Sequence, residues 1–234
     1  MTEHTRKLGI RSFVLRARRM TNSQNKGYQT LWDEYGIEFS DHQLDIDYIF
    51  GRKAPLILEI GFGMGDSLLT QALLEPERNF LGIEVHKPGV SRLMNEAKKA
   101  GVSNLKIMCE DAVEVLAYAL PSRSLEGVQI YFPDPWHKKR HHKRRIIQPD
   151  FIKFLADRVG IGGFCHLATD WEPYAVWMLE LFSRNPVWQN ISNDSRYASR
   201  PDRRPITKFE IRGAKLGHNI FDLVFKVKAL DKQL

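Results

Sequence analysis

A glycine-rich turn and four acidic residues stand where ligand chemistry would need them. Glu59-Ile-Gly61-Phe-Gly63-Met-Gly65-Asp66 follows an apolar run, and its glycines let the backbone turn tightly and approach a ligand. A dinucleotide fingerprint, G-x-G-x-x-G, counted from Gly61 would put its third glycine at Asp66. The chain reads E-x-G-x-G-x-G instead, which suits a nucleoside without a pyrophosphate. Glu84 ends a second apolar run at the interval where a carboxylate meets ribose hydroxyls. Cys109-Glu110-Asp111-Ala112 closes a third run, near the place of an adenine. Taken singly, each acid serves equally well as a helix cap or first-turn charge. All three at strand ends favour a ligand.

A fourth apolar run leads into Tyr131-Phe-Pro-Asp134-Pro-Trp136. Two prolines bracket the aspartate and stiffen the turn, fixing where its carboxylate points. Trp136 offers a surface on which a base could stack. The next residue opens His137-Lys-Lys-Arg-His-His-Lys-Arg-Arg145, with six Lys/Arg and no acid. Three histidines there could suggest a metal, but no cysteine or suitable carboxylate accompanies them, and an RNA-contacting loop fits better. No metal site is expected.

That run dominates the charge of the chain. The full sequence carries 35 Lys/Arg against 28 Asp/Glu, a balance of +7. Without residues 137–145 the count is 29 against 28, and without residues 1–20 as well it is 23 against 27. A slightly acidic body with two basic patches is the electrostatic footprint of a polyanion such as nucleic acid. A membrane surface fits less well, since neither patch has a strong apolar face. No apolar run approaches the ~18 residues of a membrane span, and residues 1–20 lack the apolar core of a secretory signal. Cys109 and Cys165 cannot build a disulfide framework, so the cytoplasm is the expected compartment.

The elements that must hold these residues alternate. Strands are expected at Leu56–Ile60, Asn79–Val85, Leu105–Cys109, Gly127–Phe132, Gly163–Ala168 and Phe221–Val227. Helices are expected at Asp66–Leu74, Pro88–Ala100, about Asp111–Ala119, Pro149–Val159 and about Glu172–Phe182. This pattern implies an α/β fold, a mostly parallel sheet with helices on both faces. The 43% hydrophobic composition supports a full core, with Trp171 and Trp177 expected in it. Residues 1–50 read as a basic, then acidic extension, and residues 51–234 as the main domain.

The segments LEIGFGMG (58–65), GIEVH (82–86), YFPDPWHKKRHHKRR (131–145), ATDW (168–171) and RPITKFE (204–210) resemble the tRNA (guanine-N7-)-methyltransferases of the bacterial TrmB type. The resemblance spans roughly residues 25–230. It implies a Rossmann-like class I methyltransferase fold, S-adenosylmethionine as methyl donor, and methyl transfer to N7 of the variable-loop guanine of tRNA. It further implies that Glu59, Gly61, Gly63, Glu84, Asp111 and Asp134 contact the cofactor, and that Asp134 is catalytic. Lys138, Asp170, Thr207, Lys208, Phe209 and Glu210 match substrate-contacting positions; Arg140, His141, His142, Lys143, Arg144 and Arg145 match an RNA-binding stretch. No protein partner is expected, and a monomer or homodimer is.

The chemistry accords with that set. Guanine N7 carries a lone pair and no proton, so its methylation needs alignment and stabilisation of cationic character rather than a general base. Competing readings are an adenine amino-group methyltransferase, suggested by Pro-Asp-Pro-Trp, an RNA-binding protein that has lost catalysis, and a nicotinamide oxidoreductase, which the glycine spacing disfavours.

Overall fold

The computed structural model describes residues 11–13, 20–192, 196–206, 210, 217 and 219–229. Seven strands form one sheet: β1 (Leu56–Ile60), β2 (Asn79–Ile83), β3 (Leu105–Met108), β4 (Leu125–Tyr131), β5 (Val159–Thr169), β6 (Trp188–Asn190) and β7 (Phe221–Val227). Their spatial order is β3-β2-β1-β4-β5-β7-β6. The first five run parallel, and β7 lies antiparallel between β5 and β6. Strand β1 is buried at every residue, as a central parallel strand covered on both faces must be.

Helices α3 (Asp66–Leu74), α4 (Lys87–Ala100), α6 (Pro149–Arg158) and α7 (Glu172–Ser183) lie between the strands. On α4, Val90, Leu93, Met94 and Ala97 repeat at helical spacing and are all buried. They meet Ile57, Phe80 and Leu68 on one face of the sheet, while Leu58, Ile60 and Val128 meet Phe151, Tyr174 and Met178 on the other. Burying each Val, Leu, Ile, Phe or Met among them is worth roughly 1.5–3 kcal/mol.

Residues 22–50, expected as an extension, pack onto this body. Helix α1 (Asn22–Tyr35) starts at a Thr21–Gln24 capping box and ends with Tyr35 buried, its hydroxyl donating to Val102 O at 2.9 Å. Helix α2 (Ile46–Phe50) is capped by Asp45, and Leu44 N donates to Ala119 O at 2.8 Å.

Several boundaries differ from expectation. Strands β2 and β3 stop at Ile83 and Met108, leaving Glu84 and Cys109 in the turns beyond. The helix expected from about Asp111 is α5 (Ala112–Glu114) followed by a π-helical turn, Val115–Ala119. Strand β5 starts four residues early, since a register shift opposite Leu125–Gly127 absorbs its glycine-rich beginning. The basic run forms a 3-10 helix over Lys139–Arg144. Trp171 does not join the core: it precedes α7 at the carboxyl edge of β5 and is 38% exposed, edge-on to His137 at 4.3 Å. Trp177 packs partly buried against the core, as expected.

Candidate active site

Strand order reverses between β1 and β4, and an open parallel sheet takes ligands beyond the carboxyl ends at that point. A cavity of about 650 Å3 lies there, and Glu59, Gly61, Gly63, Glu84, Asp111 and Asp134 all line it. Candidates from four separate segments thus share one wall.

The turn after β1 places Gly61, Gly63 and Gly65 at φ 74°, 59° and 81°, a region that side chains disfavour. The start of α4 presses against this turn, and a Cβ on Gly89 would sit 1.9 Å from Gly63 O. Glu84 holds the turn in place. Its Oε2 accepts from Gly63 N at 2.8 Å, and its Oε1 accepts from Val85 N at 2.8 Å and His86 N at 3.0 Å.

Glu59 lies deeper, 3% exposed on β1. Its Oε2 has no hydrogen-bond partner among the described residues. Burial, and secondly the charge of Glu84, pushes its carboxyl up to about 8. Such a carboxyl, facing a cavity, is poised to ionise when a cation arrives. Asp111 caps α5, accepting from Val113 N at 3.0 Å, and also lines the cavity. Burial raises its carboxyl above the ordinary value.

Beyond β4 the chain passes through two left-handed non-glycine residues, Phe132 at φ 52° and Trp136 at φ 48°. Backbone of this kind persists where surrounding structure over-determines it. Between the two, Asp134 projects its exposed carboxyl at the cavity rim. Trp136 is less open than expected, since Arg144 lies over its ring at 5.2 Å and its Nε1 donates to Ser12 O at 3.2 Å.

In the basic helix and at its start, Lys138, Lys139, Arg140 and Lys143 are exposed, and His141, His142 and Arg144 are half-buried. Burial first, then the charges of Arg140, Arg144, Lys138 and Lys143, lowers the affinity of His141 for a proton. Lys138, Lys139, Arg140 and Lys143 hold positive charge on this surface whatever the state of His141. Arg145, expected with them in the RNA-binding set, is placed differently in the structure. It is 3% exposed, donates from Nε to Pro135 O at 2.8 Å and lies over Tyr174 at 4.7 Å and Trp177 at 5.5 Å. Its guanidinium fastens the Asp134 turn to α7 and is almost wholly buried.

Lys138 and Asp170 are exposed at the ends of the neighbouring turns, outside the cavity wall. Glu210 is held by Arg204 through two hydrogen bonds of 2.6 and 2.9 Å. Thr207, Lys208 and Phe209 lie outside the described residues, although Pro205 and Ile206 just before them line the cavity. No group of three or more His, Cys, Asp and Glu able to hold a metal occurs among the described residues.

Residues 53–223 match the family described as "Putative methyltransferase". The tRNA (guanine-N(7)-)-methyltransferase of Shewanella amazonensis is 53% identical over 217 residues, covering 93% of this chain and 91% of that protein. The protein of the same name from Aeromonas hydrophila is 52% identical, covering 93% and 92%. That from Yersinia pestis is 51% identical over 219 residues, covering 94% and 92%. The chain belongs to the tRNA (guanine-N(7)-)-methyltransferase family. Among solved structures, the 16S rRNA methyltransferase KamB is similar with TM-score 0.60 and 15% identity, covering 82% of this chain and 96% of that one. TrmN from Thermus thermophilus is similar with TM-score 0.52 and 16% identity, covering 74% and 44%. These likenesses concern the fold, which is the Rossmann-like class I methyltransferase fold.

In this member of the tRNA (guanine-N(7)-)-methyltransferase family, every cavity residue except Ser12 and Phe13 falls within the matched segment 53–223. Those two come from the basic amino-terminal stretch, where no motif marks them. Sequence reasoning also misses Arg204 as a site residue, although it opens the RPITKFE segment.

Proposed function

We propose that this enzyme transfers a methyl group from S-adenosylmethionine to N7 of the variable-loop guanine of tRNA. The observation that carries the reading is the adjacency of two features at the switch point. An acid-lined cavity behind a glycine turn meets, through the Asp134 turn, a basic helical segment that exposes Lys138, Lys139, Arg140 and Lys143.

The residues present fit the cofactor. A buried carboxyl oxygen of Glu59 lacks a partner among the described residues, and a Cβ at Gly61 or Gly63 would meet nothing within 4 Å. The wall thus offers a cation acceptor and open backbone at once. When bound, S-adenosylmethionine supplies an electrophilic methyl group on a cationic sulfonium. Glu59 would meet the cationic portion of the cofactor, Glu84 the ribose hydroxyls beside the turn it braces, and Asp111 the adenine side. Gly61 and Gly63 would bring backbone close to the ligand.

On the substrate side, N7 has a lone pair and no proton, so no residue here need act as a base. Asp134, fixed between two prolines, would orient the guanine and stabilise the positive charge growing on its ring. Asp170 and Glu210, with Thr207, Lys208 and Phe209, would hold the guanine edge, and Lys138 a phosphate. Arg140, His141, His142, Lys143 and Arg144 would face the tRNA backbone.

The test is purified protein, labelled S-adenosylmethionine and an unmodified tRNA transcript, followed by nucleoside analysis. The expected product is 7-methylguanosine, lost when the variable-loop guanine is replaced. Label in adenosine would favour the amino-group reading, and tRNA binding without any label would favour the binding-protein reading.

A further inference from the structure

Beneath the site, a chain of buried polar groups crosses three strands and ends at a substrate-facing segment on either side. It begins at Tyr131, where β4 gives way to the Asp134 turn, a residue that lines the cavity. The Tyr131 hydroxyl lies 3.2 Å from His166 Nδ1 on β5, and His166 Nε2 lies 2.7 Å from Asp222 Oδ1 on β7. With the imidazole neutral, the hydroxyl donates to Nδ1 and the Nε2 proton goes to the carboxylate. Asp222 Oδ2 accepts from Arg204 Nη2 at 3.0 Å, and Arg204 Nε sits 2.8 Å from Oδ1. From its far side, Arg204 donates Nη1 to Glu210 Oε2 at 2.6 Å and Nη2 to Oε1 at 2.9 Å.

Arg204 is completely buried, which a guanidinium tolerates only when its charge is met; both Nη groups donate hydrogen bonds, while Nε makes an ion-pair contact with Asp222 but no hydrogen bond among the described residues. Neutralising the charge would require one carboxylate. Here there are two, and the bidentate fork to Glu210 fixes the plane of that carboxylate as well as its charge. The backbone is pinned too: Arg204 N donates to Pro201 O at 2.9 Å, and Arg200 Nη1 donates to Arg204 O at 3.2 Å. Pro205 and Ile206, the next two residues, enter the cavity wall.

We propose that Arg204 is a positioning residue for methyl transfer, anchored by Asp222 and His166, and that it sets the carboxylate of Glu210 in register with the Asp134 turn. The proposal rests on the reading that Glu210 holds the target guanine. Arg204 touches neither cofactor nor base; it acts through Glu210.

A mutant cycle on the full-length enzyme tests it, reading kcat/KM for a tRNA transcript, the Kd for S-adenosylmethionine by calorimetry, and thermal melting. Arg204→Lys keeps the charge and loses the fork. It is expected to lower kcat/KM about tenfold or more while the cofactor Kd stays within about threefold. Glu210→Ala is expected to lower kcat/KM at least as much, and Arg204→Lys added to Glu210→Ala should cost little further. Should Arg204→Lys fold poorly, Asp222→Asn replaces it in the same cycle with the same expectation. Equal losses from the Arg204 or Asp222 change in wild-type and Glu210→Ala backgrounds would overturn the proposal and leave the role of Glu210 standing. Wild-type kcat/KM in Arg204→Lys would also overturn it. Wild-type kcat/KM in Glu210→Ala would remove the guanine-contact reading itself, and the proposal with it.

Discussion

The amide of Gly63 donates to Glu84 Oε2 at 2.8 Å, which ties the turn after β1 to the residue that follows β2. Because Oε1 also accepts from Val85 and His86, one carboxylate shapes two loops of the cavity. Glu84→Ala leaves three backbone donors without this acceptor, at a stability cost of about 1–3 kcal/mol. The expected result is a cofactor Kd at least about tenfold weaker, read by calorimetry. A lowered melting temperature with an unchanged Kd would assign Glu84 to loop support alone.

Glu59 makes the free enzyme sensitive to alkali. Its carboxyl titrates near 8 when folded against 4.5 as an ordinary glutamate. Between those values the unfolded chain has released a proton that the folded one keeps, so raising pH favours unfolding. The stabilising contribution is complete below about pH 4.5, fades as pH rises and is gone above about 8. Its size is on the order of a few kcal/mol. Glu59→Gln should flatten the fall of melting temperature across this window. In the wild type at pH 7, binding of cationic S-adenosylmethionine should release up to about one proton, visible as a dependence of binding enthalpy on the buffer. Buffer-independent enthalpy would separate Glu59 from the cofactor.

The basic run divides into two kinds of basic residue. Arg140 and Lys143 are exposed, and Arg144 covers Trp136 from a half-buried position, whereas Arg145 is buried over Tyr174 and Trp177. Replacing Arg140, Lys143 and Arg144 by Ala should weaken tRNA binding. It should also flatten the log–log salt dependence by about 0.7–0.9 for each phosphate no longer neutralised. Arg145→Ala should leave that slope alone and instead destabilise the fold by roughly 2–3 kcal/mol, because its hydrogen bond and its packing on two rings disappear. A salt slope changed by Arg145→Ala and unchanged by the triple variant would reverse the assignment.

The same pair of neighbours marks how far local sequence reaches. Leu56–Ile60, Asp66–Leu74 and Phe221–Val227 coincide with their expected bounds, because apolar runs broken by glycine or polar turns are a local signal. The acids at the ends of β1, β2 and β3 were legible for the same reason, since strand ends place them without knowledge of their neighbours. Arg145 and Arg144 are adjacent and chemically alike, and only the distant Tyr174 and Trp177 decide that one turns inward. Trp171 projects where the sequence suggests core, because a tryptophan before a helix looks the same whether it packs or projects. Arg204, in a loop, gives no signal of its role without Asp222, 18 residues away on β7.

Asp134 is the residue on which the reaction reading stands or falls. Its carboxyl is exposed, and the turn is held by Phe132 N to Ala168 O at 2.8 Å and by Arg145 to Pro135 O, neither of which uses the aspartate side chain. Asp134→Ala should therefore stay within about 0.5 kcal/mol of wild-type stability. If the carboxylate stabilises the cationic guanine and the basic helix holds the tRNA, kcat should fall about a hundredfold or more while tRNA affinity changes by less than about threefold. Asp134→Asn separates charge from shape: retention of most activity would mean that orientation by hydrogen bonding dominates, and a loss as deep as that of alanine would mean that the negative charge does. Wild-type turnover in Asp134→Ala would place the reaction centre elsewhere in the cavity.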